Sequence, residues 1–195
     1  MDLFFSDADR TTYLALLAKY AERYGVAFLA WCLMANHVHL IAVPKSELSL
    51  ARCLGEAHRR YTRMINFRHG CRGYLFQGRF HSCPLDGQHL LAAVRYVLRN
   101  PVRAGIVEHA WDYVWSSARS MARVVPQDPL ARESELLADI TDWKEFLECS
   151  SDDLSPIRKH TCTGRPLGSD AFLGHVESVT GRVVRPNKPG PKRAR

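Results

Sequence analysis

The sequence has no run of about 18 consecutive apolar residues, the length a helix needs to cross a bilayer, so no membrane partner is expected. Its opening, MDLFFSDADR, carries acids where a secretory leader needs a basic start and an apolar centre. A cytoplasmic location is the expectation. None of the six cysteines (Cys32, Cys53, Cys71, Cys83, Cys149 and Cys162) forms a C-x-x-C pair, which argues against the common zinc modules and favours reduced thiols. No internal repeat is present. Acids are scarce in two places: residues 52–103 hold two Asp/Glu against ten Lys/Arg, and residues 182–195 hold none against six.

What is there, in 195 residues of 46% hydrophobic composition, suffices for one domain with a core and an appendage. The formal charge of +7 is uneven, because residues 1–51 (four basic, five acidic) and 104–181 (seven basic, thirteen acidic) offset the two basic stretches. A basic middle and a basic tail separated by an acidic segment suit a polyanionic partner. A plain solvated surface is the other reading of such a charge run.

Ser6 followed by Asp9 resembles a helix start. Tyr13, Leu14, Leu17, Tyr20, Ala21 and Tyr24 then recur at helical spacing until Gly25 ends the run. The apolar stretch 26–32 reads as a central strand, and HVHLIAV (37–43) as its antiparallel partner, closed by Pro44. A second helix is expected from about Ser46 to His69, a further strand within 73–84, and a third helix from Asp86 that stops near Asn100, ahead of Pro101. Helix, strand, strand, helix, strand, helix predicts an α+β fold, an antiparallel sheet with helices packed on one face. Domain boundaries are expected at 1–120 for the main domain, 121–181 for a small helical C-terminal extension, and 182–195 for a basic disordered tail.

CLMANHVHLIAVP places two ionisable rings in the most strand-like part of the chain. Alternation puts His37 and His39 on one strand face, with Cβ atoms roughly 7 Å apart, where two neutral imidazoles can chelate a divalent metal. Half-buried strand histidines with no ligand are the alternative. On the third helix Tyr96 falls away from the apolar stripe of Leu90, Leu91, Val94, Val97 and Leu98, and Asn100 follows one turn later. A phenol and a carboxamide there could add a nucleophile and an oxygen ligand to the histidine pair, or could be a surface tyrosine before an Asn-Pro helix stop. Such a set suits phosphodiester transesterification.

CLMANHVHLIAVP, YLFQGRFHS and RYVLRNPVRAGIV, in this order, resemble the three signature blocks of the single-tyrosine HUH (IS200-like) transposases. WDYVWSSARS and the TGRPLGSDAF and TGRVVRPNKPGPKRAR segments are similar to the REP-associated tyrosine transposase branch. The resemblance implies a ferredoxin-like α+β fold. It further implies a metal pair His37 and His39, a third ligand Asn100, a nucleophile Tyr96, and Mg²⁺ or Mn²⁺ as the cofactor. The implied substrate is single-stranded or hairpin DNA, cut through a 5′-phosphotyrosine intermediate by a monomer or homodimer. Arg59, Arg60, Arg63, Arg79, His81, Arg95, Arg99 and Arg103 are the expected DNA contacts. Three departures from the family pattern stand out: Ala35 replaces a frequent proline, His81 replaces a frequent lysine, and the family's first strand is expected to be absent. A missing strand would leave backbone groups of the sheet unpaired. Two other functions suit the same residues: a domesticated or decayed nucleic-acid-binding protein without catalysis, and a metal-dependent phosphohydrolase that activates water.

Overall fold

Helix α1, Asp7–Tyr24, starts where Ser6 accepts the Asp9 amide on its hydroxyl and ends at Gly25, whose φ of 65° is open to glycine at no steric cost. We describe the protein from a computed structural model that covers residues 2–149 and 155–185. The chain forms two compact units, Met1–Phe80 with Leu91–Asp152, and His81–Leu90 with Asp153–Arg195.

In the first unit, strands β1 (Val26–Leu33) and β2 (Val38–Pro44) form an antiparallel hairpin, with Cys32 opposite His39 and Leu33 opposite Val38. The bulky continuous run of β1 is buried at every residue but Ala27, as a central strand requires. Among the described residues the sheet has these two strands only. The second edge of β1 is nevertheless satisfied. Leu33 N–H donates to Trp115 O at 2.9 Å, Ser117 N–H to Trp31 O at 3.0 Å, and Arg132 N–H to Phe28 O at 3.0 Å. The Ser117 hydroxyl accepts the Trp31 amide at 3.0 Å. Irregular chain therefore supplies the pairing that a neighbouring strand would otherwise give.

Helix α2, Ser49–Arg68, packs with α1 over the hairpin, and the core between them combines aliphatic side chains with a group of aromatic rings. Tyr13 and Tyr61 meet edge to face at 5.2 Å, and the Tyr61 hydroxyl donates to Leu3 O at 2.9 Å, tying the N-terminal residues down. At its edge Asp9, only 1% exposed, takes both guanidinium nitrogens of Arg68 at 2.6 and 2.9 Å. The bidentate pair and the Phe5 amide hold the Asp9 carboxyl below its usual range despite burial.

The expected strand within 73–84 does not form. Gly73 and Gly78 have φ of 121° and 130°, values that a ladder strand cannot use, so the segment is irregular. Leu75, Phe76 and Phe80 still pack against the core. Helix α3, Gly87–Leu98, is followed by a new turn, α4, Asn100–Arg103, in place of a full stop. Pro101 sits in the first turn of α4, where no amide donor is needed.

Short elements fill the rest of the first unit: 3-10 turns at Ala110–Asp112 and Glu135–Leu137, and helices α5 (Ala118–Met121) and α6 (Trp143–Glu148). The second unit holds α7, Ser155–Thr163, and α8, Asp170–Thr180, the latter capped by Ser169 and Gly181. Asp86 accepts the amides of His89 and Ser169 at 3.1 and 2.7 Å. Of the expected basic tail, residues 186–195 lie outside the described residues. Arg185 is engaged by Glu177 and by Asp170 O at 3.0 Å.

Candidate functional site

The turn at Ala35 and Asn36 closes the hairpin, with Met34 N–H donating to His37 O at 2.9 Å, and delivers His37 and His39 to one side. Their Nε2 atoms converge to 3.0 Å and the rings stand nearly perpendicular. Asn36 Oδ1 lies 2.7 Å from His37 Nδ1 and accepts its proton, which leaves the His37 Nε2 lone pair bare. In this arrangement the proton between the two rings sits on His39 Nε2, and a metal held by both Nε2 atoms would displace it. Asn36 thereby orients the His37 ring. Its only signal in the sequence was its place beside the histidine block.

The electrostatics favour neutral rings. Burial, the neighbouring His37 and the Arg103 charge push His39 down to about 4, and burial lowers His37. Both imidazoles are therefore uncharged at neutral pH, the form that ligates a metal. Two ligands at right angles on a divalent ion with bonds of about 2.1 Å are about 3.0 Å apart, which is the spacing of the two Nε2 atoms. The donor pair fits a divalent metal. Among the described residues no cluster of three or more His, Cys, Asp or Glu forms a metal site, so a third protein ligand would have to be of another type.

Tyr96 comes to this pair from α3. Its ring stands edge-on to His39 at 6.1 Å between centroids, and the Arg103 guanidinium lies 4.3 Å from the Tyr96 ring centre. Contrary to the expectation of a tyrosine away from the packing face, Tyr96 is only 7% exposed. Residues 93–98 are buried all round, because α3 enters the first unit at that point and is covered on its polar side too. Asn100 Nδ2 donates to the carbonyls of Tyr96 and Val97 at 2.9 and 3.2 Å. That fixes the amide, with Oδ1 on the side away from those carbonyls.

The expected DNA contacts fall into separate groups. Arg59, Arg60 and Arg63 are exposed along α2, and Arg79 is exposed on the loop after it. Arg103 is exposed and stacks on Tyr96. Arg99 donates to Cys149 O at 3.2 Å. Arg95 is turned inward: it is 9% exposed, donates to Phe146 O at 2.9 Å, and lies 4.2 Å from the Phe146 ring centre. Its guanidinium is occupied by this packing, which leaves it poorly placed for a phosphate. His81 is exposed and belongs to the second unit.

Deleting residues 182–195 removes six positive charges, of which Arg185 alone has an ion-pair partner among the described residues of that segment. Phosphate contacts release counterions, so the truncated chain should show a shallower slope of log K against log salt for DNA. An unchanged slope would mean that the tail makes no phosphate contact.

A family model described as "Transposase IS200 like" matches residues 2–100, a span that ends on Asn100. No curated protein and no solved structure matches the chain. The match takes in 99 of the 195 residues, including the histidine strand, the tyrosine helix and the asparagine that follows. With that coverage the chain belongs to the IS200-like transposase family, whose members bind and cleave DNA in transposition.

Proposed function

We propose that the protein is a metal-dependent single-stranded DNA endonuclease and strand transferase of the single-tyrosine HUH type and of its REP-associated branch. The convergence of His37 and His39 Nε2 at 3.0 Å beside the ring of Tyr96 carries this reading. His37, His39 and Asn100 would hold Mg²⁺ or Mn²⁺. When bound, such an ion neutralises phosphate charge and orients the scissile bond.

Tyr96 supplies the nucleophile. Its phenol oxygen forms a bond to phosphorus while the bond from phosphorus to the 3′-oxygen breaks. The phenol proton is released and the departing 3′-oxygen gains one, leaving the 5′ end joined to Tyr96. Rejoining is the same step reversed with a new 3′-hydroxyl. Arg103 places a positive charge over the Tyr96 ring, complementary to the incoming phosphate.

The proposal extends to a hairpin substrate, a cytoplasmic monomer or homodimer, and a ferredoxin-like ancestry that lacks its first strand. The backbone pairing of Trp115, Ser117 and Arg132 on the outer edge of β1 supports that last point. The domain limits 1–120, 121–181 and 182–195 remain part of this reading.

Single-stranded hairpin DNA with Mg²⁺ or Mn²⁺ should be nicked, and EDTA should abolish the nicking. Binding without nicking under any divalent ion would favour the non-catalytic, domesticated protein. Nicking with no protein–DNA adduct would favour the water-activating hydrolase.

A further inference from the structure

A second feature of the first unit lies outside the histidine and tyrosine site. A cleft of about 560 Å³ opens between α2 and the loop 71–78, and none of His37, His39, Tyr96, Asn100 or Arg103 lines it. Its floor is a stack: the His58 and Phe76 rings lie 3.8 Å apart and nearly parallel, and the Tyr13 hydroxyl holds His58 Nε2 at 2.9 Å. Burial pushes His58 down to about 4, so the floor carries no charge at neutral pH. Two large aromatic rings stand at the cleft almost fully in water, Phe67 at 90% and Tyr74 at 96% exposure.

Exposing two such rings at one cleft with a cationic rim has a cost that a surface without a partner has no reason to bear. No Asp or Glu lines the cleft, whereas Arg59, Arg63 and Arg72 do. Arg59 is paired with Glu56, but no carboxylate among the described residues forms an ion pair with Arg63 or Arg72. Arg59, Arg63 and Phe67 follow one another at i, i+4 and i+8 on α2, so charge and ring share one helix face. The loop is held in place. Asn66 Nδ2 donates to Gly73 O at 2.8 Å and Cys71 N–H to Asn66 O at 3.0 Å, which fixes the loop just before Tyr74.

We infer that this cleft binds an unpaired base of single-stranded DNA, stacked against Tyr74 and Phe67, with the adjoining phosphates on Arg63 and Arg72. Aromatic faces accept any base and the guanidinium groups follow the backbone, a combination that holds single strands and excludes duplexes, whose bases are already stacked. The uncharged floor and the absence of carboxylates match a flat, uncharged base between anionic phosphates. The inference rests on the reading that single-stranded DNA is the substrate.

The test uses the full chain with Tyr96→Phe, so that binding is read without cleavage. An oligothymidylate carrying one 5-iodouracil should photocrosslink to Tyr74 or Phe67. Adding Phe67→Ala and Tyr74→Ala together, both exposed and so tolerable to the fold, should weaken single-strand binding by about ten- to a hundredfold. Binding of a duplex of the same length should be unchanged. A double variant with unaltered single-strand affinity, a crosslink confined to other residues, or an equal loss for duplex and single strand would overturn the inference. The wild-type chain assayed alongside for its adduct separates the two claims. An adduct without involvement of the cleft sinks this inference alone, and a crosslink at the cleft without an adduct sinks the catalytic reading alone.

Discussion

Alanine at His37 or at His39 should reduce metal-dependent DNA cleavage by on the order of a thousandfold or more, while DNA binding stays near that of the parent chain. Either substitution removes one of two Nε2 donors that lie 3.0 Å apart, and a single imidazole cannot chelate. On the proposed reading phosphate affinity resides mainly in the arginines, so binding and cleavage should separate. Asn36→Ala should have a smaller effect of about ten- to a hundredfold, because it frees the His37 ring without removing it. The pH dependence has a definite sign. A free imidazole titrates near 6.5, but burial and its neighbours depress His39 to about 4. Protons therefore compete with a metal for His39 only as the pH falls toward that lower value. Cleavage should persist well below pH 6.5 and fail on approach to about pH 4. Cleavage in EDTA, or in the double alanine variant, would refute the metal role.

Tyr96→Phe should leave the fold and DNA binding intact and abolish covalent joining. Loss of a covalent nucleophile costs on the order of a millionfold where such groups act as a unit. The substitution removes one oxygen and keeps the ring that faces His39 and Arg103, so packing changes little. The other tyrosines have different duties. Tyr13, Tyr20 and Tyr61 are buried in the core between α1 and α2, and Tyr113 donates to Leu33 O at 2.8 Å. Tyr24 packs at the edge of that core. Tyr74 stands in water at the cleft, so its loss should weaken binding and spare the chemistry.

Local signals carried much of the fold. Ser6 and Gly25 bracket α1 as their chemistry demands, and the apolar run of β1 marks a strand covered on both faces. Periodicity also exposed the shared side of His37 and His39, since a period of two needs no tertiary information. Other features depend on long-range partners. The outer edge of β1 is filled from residues 115–117 and 132, far along the chain and without strand patterning. Tyr96 lies off the apolar stripe of α3 by periodicity and Arg95 was an expected DNA contact, yet both are buried, since a helix that other segments enclose hides its polar side as well. Phe146 captures Arg95 from 51 residues away, which no local pattern announces. The segment 73–84 looked strand-like by composition, and its two glycines at positive φ overrode that.

The most direct test of the account is the site of covalent attachment. Single-stranded DNA labelled at its 3′ end, incubated with the protein and Mn²⁺, should yield a labelled adduct, whereas label at the 5′ end should stay on the free fragment. Proteolysis and mass spectrometry of the adduct should place the nucleotide on the peptide that contains Tyr96. A nucleotide on any other residue, or efficient cleavage with no adduct, would contradict it.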